Sequence, residues 1–278
     1  MKIDTFTKKI IAQSLKEDCI QKDPTSRLLI PPQLNTKAFI LAKEDLVLCG
    51  LFLAKEVFRQ VDPKIECKIL IQEGQWVKKG NQVLKIQGNA RSILAGERVA
   101  LNFLQRLSGI ATLTKKYVEA IEGSPAKILD TRKTTPTLRN LERYAVRVGG
   151  GVNHRFDLSQ SIMVKDNHRA LSGNLTDILE KLKKAKVPVI IEVETLKELQ
   201  EALAAGARYL QLDNMKLKQL KNCVDYVRQI KGTKIILEAT GGINLKNAGS
   251  IAKTGVDYLS IGALTHSAKA VDLSLEIS

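Results

Sequence analysis

From about residue 127 onward the chain repeats one rhythm: a short apolar run, then a stretch whose apolar residues return every three or four positions. The runs begin near Lys127 (KILD), Ser161 (SIMVK), Val187 (VPVIIEVE), Arg208 (RYLQLD), Lys234 (KIILEA) and Val256 (VDYLSIG). Runs this short and this rich in Ile, Val and Leu predict strands. The stretches between them predict helices with legible ends. Thr195 and Glu198 form a capping box opening TLKELQEALAAG, which Gly206 closes. Pro136 after Thr135 predicts another helix start, and Gly149 its end. Strands alternating with helices imply parallel strands joined by right-handed crossovers. Six such units are too few for an eightfold barrel, so an open, incomplete α/β barrel is expected.

The first hundred or so residues lack that rhythm. MKIDTFTKKIIAQSLKEDC reads as an amphipathic helix, because Lys, Glu and Asp interrupt its apolar positions. QKDPTSRLLIPPQ reads as a Pro-rich loop, and AFILAKEDLVLCG as paired strands with a turn near Lys43–Asp45. IECKILIQEGQWVKKGNQVLKIQG gives short alternating strands separated by Gly74 and Gly80, so an α+β N-terminal domain is expected. SILAGERVALNFLQRLSGIATLTKKYVEAI is helical, broken near Ser108 and Gly109, and apolar nearly all round, which predicts burial between domains or subunits. Arg98 falls within about 40° of its Leu94 and Leu101 ridge. A guanidinium there needs an anionic partner, either an ordinary Glu or a ligand.

Composition narrows the class. At 278 residues and 44% hydrophobic content the chain can bury a sizeable core. It holds no apolar run of about 18 residues, so a membrane span is not expected, and the N-terminus does not read as a signal peptide. A cytoplasmic location follows as an expectation. Cys19, Cys49, Cys67 and Cys223 form no C-x-x-C pair, which argues against a zinc site or a disulfide framework. The net charge of +15 attracts polyanions, although much of it is solvated lysine such as KKAK at 183–186. With 4% aromatic residues, a stacking surface for single-stranded nucleic acid is not expected.

In parallel α/β folds the loops after strand C-termini converge on one face, where ligands bind. Every strand end here carries something capable of chemistry: Asp130–Lys133, including Thr131, after the first, Lys165, Asp166 and Asn167 after the second, and Glu194 after the third. The fourth ends in Asp213 and Asn214, the fifth in Thr240, Gly241 and Gly242, and the sixth in Gly262. Glu194 and Asp213 could simply favour a following helix N-terminus, and the glycines could be plain turns. Two glycine motifs in succession also suit a phosphate held by backbone N–H groups. Arg132, Lys133, His154, Arg155 and Lys165 would line one wall of the same mouth, where their repulsion asks for an anion. Arg139, Arg143 and Arg147 recur opposite Leu138, Leu141 and Val148 and read as an outer, solvated face, while His168 and His266 read as structural. Carboxylates opposite cations near a phosphate site suggest a phosphosugar and a second, anionic substrate.

DTRKTTPTLRNLERYAVRVGGGVNHR at 130–155, with IMVKDNH, LNFLQRLSGIAT, IEVE, LDNM and VDYLSIGALTHS, closely resembles the quinolinate phosphoribosyltransferases, the decarboxylating nicotinate-nucleotide pyrophosphorylases. The resemblance runs in order over about residues 90–270. It implies an N-terminal α/β sandwich domain, placed at residues 1–106, and an open α/β barrel at 107–278 whose last residues can return to the first domain. It further implies that quinolinate and phosphoribosyl pyrophosphate give nicotinate mononucleotide, pyrophosphate and CO₂ in NAD biosynthesis. By motif, Arg132, Lys133, His154, Arg155 and Lys165, with Thr131 beside them, would bind the quinolinate carboxylates and pyrophosphate. Glu194 and Asp213 would sit by the ribose, and Thr240, Gly241, Gly242 and Gly262 by the 5′-phosphate. Lys133, Lys165, Glu194 and Asp213 would carry the catalysis, with Mg²⁺ arriving on the pyrophosphate. A homodimer is implied in which Arg98 reaches the neighbour's pocket. This chain departs from the family at Thr240, where serine is usual, and at Thr137, where glycine is common. Two other readings stand beside this one: a related branch linked to molybdenum transport, and a basic nucleic-acid-binding protein.

Overall fold

In the computed structural model, residues 3–278 are described. They divide into two compact units, one running through Leu113 and taking back Ala268–Ser278, the other Thr114–Ser267.

The first unit holds β1 (Asn35–Ala42), β2 (Leu46–Val47), β3 (Glu66–Ile69), β4 (Trp76–Val77) and β5 (Gln82–Asn89). With the chain's last strand, β12 (Leu273–Ile277), these build an antiparallel sheet in the order β12-β1-β5-β3 and a separate β2-β4 pair. On β1 every second residue, Ala38, Ile40 and Ala42, is fully buried, the period-two signature of a sheet with one covered face. The strands flanking Lys43–Asp45 do not pair with each other as expected: Leu46 pairs with Val77, and β1 lies between β5 and β12. The N-terminal helix forms over Thr5–Glu17, capped by the Asp4 carboxylate and burying Thr7, Ile11 and Leu15 at a four-residue spacing. It packs on a helix, Leu51–Val61, that the sequence reading does not anticipate.

The long helix runs unbroken over Ala90–Ala120, against the expected break. The small residues at its middle make room for neighbours instead. The Ser108 hydroxyl accepts the Cys49 N–H at 2.9 Å and donates to the Cys49 carbonyl at 3.1 Å. A Cβ on Gly109 would strike the Lys269 carbonyl oxygen. Arg98 is exposed rather than held on the apolar ridge.

The second unit is a parallel sheet of β6 (Lys127–Leu129), β7 (Ile162–Val164), β8 (Val189–Val193), β9 (Tyr209–Asp213), β10 (Ile236–Thr240) and β11 (Tyr258–Ser260). Each begins within two residues of the expected position. The order β6-β11-β10-β9-β8-β7 leaves β6 and β7 as edges, unpaired with one another among the described residues, which is the open barrel anticipated. An isolated parallel bridge joins Leu129 of β6 to Val152. Thr195 caps its helix as expected by accepting the Glu198 N–H, and Glu198 reaches back to the Glu194 N–H at 2.8 Å. The helix expected from Pro136 starts only at Arg139, because Thr137 takes φ +68° and forms a turn first. It ends at Val148 before three glycines: Gly150 takes φ +91°, and a Cβ on Gly151 would fall 2.7 Å from Val146 Cγ1. No helix of the described residues is long and apolar enough to cross a membrane.

Candidate active site

The C-terminal ends of β6–β11 open on a cavity of about 660 Å³. Thr131, Arg132, Lys133, His154, Arg155 and Lys165 line one part of it, and Asp213, Thr240, Gly241, Gly242 and Gly262 the rest. The structure therefore brings together all but two of the expected site residues. Arg98 is not among the lining residues, and neither is Glu194, which is exposed, with its N–H given to Glu198 and its carbonyl accepting the Gln219 amide.

The basic wall is fastened from behind by the helix Arg139–Val148. Of its arginines only Arg147 lies on the solvated face expected of all three. Arg143 is buried, donating to the His154 carbonyl at 2.8 Å, the Arg155 carbonyl at 3.2 Å and Asp130 Oδ1 at 3.3 Å. Arg139 donates to the Phe156 carbonyl at 3.1 Å, and Arg147 to Asn153 Oδ1 at 2.6 Å. Asp130, fully buried, also accepts the His154 N–H and the Asn153 amide. Burial pushes the Asp130 carboxyl up and the Arg143 guanidinium down, each opposed by the other's charge. Together they clamp residues 153–156 against the end of β6. Burial, then the neighbouring Arg132, also lowers Arg155, whose Nη1 donates to the Ser161 carbonyl at 2.7 Å.

The opposite side is shaped by glycines. Gly241 and Gly242 take φ +82° and +60°, and a Cβ on Gly241 would strike the Asn214 side chain. Asn214 itself takes φ +52° and donates its amide to Asp213 Oδ2 at 2.8 Å, so the acid and the glycine turn share one support. A Cβ on Gly262 would lie 2.9 Å from Lys133 Cδ, and Thr265 Oγ1 donates to the Lys133 carbonyl at 2.7 Å.

Sequence reasoning stopped at the strand ends and missed the layer beneath. Met163, Glu192, Gln211, Glu238 and Ser260 also line the cavity, each two residues before the strand-end residue already singled out. Period two along a strand keeps both on the barrel's inner face, and that signal could have found them. Glu192 pairs with Lys165 at 2.5 Å. Glu238 is fully buried and accepts from four groups: Tyr209 Oη at 2.6 Å, Gln211 Nε2 and Ser260 Oγ at 2.5 Å each, and His154 Nε2 at 3.1 Å. Burial raises its pKa, but the bonds from His154, Ser260 and Tyr209 outweigh that and hold it below the ordinary carboxyl value. His266, read as structural, also lines the cavity. His168 does not, its Nδ1 accepting the Lys165 N–H instead. The described residues contain no cluster of three His, Cys, Asp or Glu side chains able to hold a metal.

Residues 110–276 match the family model for the C-terminal domain of quinolinate phosphoribosyl transferase, and residues 23–108 that for its N-terminal domain. A probable nicotinate-nucleotide pyrophosphorylase (carboxylating) of Bacillus subtilis (strain 168) is 39% identical over 274 residues, 98% of this chain and 93% of that protein. The chloroplastic nicotinate-nucleotide pyrophosphorylase (carboxylating) of Arabidopsis thaliana is 39% identical over 288 residues, covering 97% of this chain and 82% of its own. The solved nicotinate-nucleotide pyrophosphorylase of Francisella tularensis superposes with a TM-score of 0.93 at 38% identity, covering 100% of this chain and 98% of that one.

Proposed function

The chain belongs to the quinolinate phosphoribosyltransferase family, and we propose that its barrel cavity is where it performs the family's decarboxylating reaction. That reaction joins quinolinate to the ribose of phosphoribosyl pyrophosphate, releasing pyrophosphate and CO₂ and leaving nicotinate mononucleotide for NAD biosynthesis. The convergence of a cationic wall, a strand-end acid and a glycine turn on one cavity of about 660 Å³ carries the assignment.

Arg132, Lys133, Arg155 and Lys165 supply the charge for the quinolinate carboxylates and the pyrophosphate; arginine suits two-pronged capture and lysine a point contact. His154 offers a wall for the pyridine ring. Thr131 supports the same loop through its hydroxyl, which accepts the Lys133 N–H at 3.1 Å. Backbone N–H groups at Thr240–Gly242 and Gly262 take the 5′-phosphate. As pyrophosphate leaves, positive charge grows at ribose C1, and Asp213, joined by Glu194 from outside the lining residues, stabilises it. The pyridine nitrogen then bonds to C1. The cationic ring nitrogen so formed draws the electron pair of the C2–carboxylate bond into the ring; CO₂ departs, and a proton from water takes its place at C2.

Magnesium belongs to this reading as the ion carried by the pyrophosphate, whose charge it neutralises. The donor set suits that role better than a resident metal, since Glu238 is occupied by four donors and Glu192 is paired with Lys165. Asp213 is the carboxylate that would share the ion. A homodimer in which Arg98 enters the second copy's cavity is part of the proposal, supported by the exposure of Arg98 on this chain. We place the protein in the cytoplasm. Incubating it with Mg²⁺, phosphoribosyl pyrophosphate and carboxyl-labelled quinolinate should release labelled CO₂ and pyrophosphate, with nicotinate inactive in its place. Pyrophosphate release from nicotinate alone would overturn the assignment.

A further inference from the structure

His154 has no ring nitrogen to spare. Its Nδ1 accepts the Arg155 backbone N–H at 2.7 Å, and a nitrogen that accepts such a bond carries no proton. The ring proton is therefore on Nε2, which faces Glu238 Oε2 at 3.1 Å. The imidazole is 8% exposed and Glu238 is fully buried, so the pair is held inside the protein. Glu238 can serve as the acceptor because its other donors, Tyr209, Gln211 and Ser260, are neutral groups that leave it a carboxylate. Burial, reinforced by Glu238, pushes the Tyr209 hydroxyl well up and keeps it a donor.

Taking the phosphoribosyl-transfer reading as given, we propose that Glu238 is a positioning residue for quinolinate. It fixes His154 as the Nε2–H tautomer, so that the ring meets the substrate with its carbon edge and leaves both carboxylates to Arg132, Lys133, Arg155 and Lys165. The same bond steadies the Arg155 backbone, since Arg155 N–H is the group that His154 Nδ1 accepts. Without the Glu238 carboxylate the ring can flip or change tautomer, offering an N–H to the cavity and loosening the loop that carries Arg155.

The test has two arms. In the unliganded wild-type protein labelled with ¹⁵N-histidine, the His154 signals, identified by their loss in His154→Gln, should show one protonated and one unprotonated nitrogen, with the proton on Nε2. A proton on Nδ1, or on both nitrogens, overturns the proposal, and this arm needs neither turnover nor a stable Glu238 variant. In the second arm, Glu238→Gln should raise the KM for quinolinate about tenfold, as expected when a hydrogen bond to a charged group is lost. The KM for phosphoribosyl pyrophosphate should stay within about twofold. A Glu238→Gln protein that folds and keeps the wild-type KM for quinolinate overturns the proposal. A wild-type protein inactive on quinolinate instead defeats the functional reading, while the nitrogen spectrum still decides the tautomer.

Discussion

Thr137 sits at φ +68°, a region where a β-branched side chain costs about 1–2 kcal/mol. Glycine removes that strain but gives back about 0.5–1 kcal/mol through the freedom it adds to the unfolded chain. Thr137→Gly should therefore stabilise the protein by up to about 1.5 kcal/mol in urea unfolding, where glycine elsewhere in the loop destabilises. Lys133 and Glu194 are tested by activity. Thr265 holds the Lys133 carbonyl rather than its ammonium, so Lys133→Ala leaves that bond in place. Lys133→Ala and Glu194→Ala should each lower turnover more than about a hundredfold, the size of one electrostatic contact to a reacting charge, with the unfolding midpoint little changed. An unaltered rate in Glu194→Ala would move the acid's role one pleat down, to Glu192, which already lines the cavity.

At the scale of elements, the strands were legible because each buried run is short, apolar and bounded by a chemically distinct end. Two of the helices were legible as elements but not in what surrounds them. Arg139, Arg143 and Arg147 repeat every four residues opposite an apolar stripe, which ordinarily marks a solvated face. Here the covering segment is residues 153–156, which return over that face only after the glycine turn, and helical periodicity carries no trace of them. Arg143→Leu should thus cost about 3–5 kcal/mol, because it strands the fully buried Asp130 with one cation fewer. Arg147→Ala, which loses an exposed bond to Asn153, should cost less than about 1 kcal/mol, and thermal unfolding of the two proteins checks the contrast. The Ala90–Ala120 helix was misread at Ser108 and Gly109 for a related reason: glycine there serves close approach, not termination. Gly109→Ala forces a methyl against the Lys269 carbonyl and should destabilise by about 1–3 kcal/mol, although alanine favours helices in isolation.

For the whole molecule, pairings between residues far apart in the chain left the least trace in sequence. β1 runs beside β12, Ala38 against Ile277, a partnership that no local pattern reports. Arg98, exposed on this chain, raises the same question one level up if it acts on a second copy as proposed. A dimer with Arg98 acting across the interface makes a quantitative prediction. Arg98→Ala and Lys133→Ala should each be nearly inactive alone. In a mixed dimer one site combines the intact Lys133 of its own chain with the intact Arg98 of the other, while the second site lacks both. Random reassociation makes half the dimers mixed, so an equimolar mixture should recover about a quarter of wild-type activity. If Arg98 served its own chain's cavity, each mixed site would lack one residue and mixing would restore nothing, so the recovered fraction decides between the two arrangements.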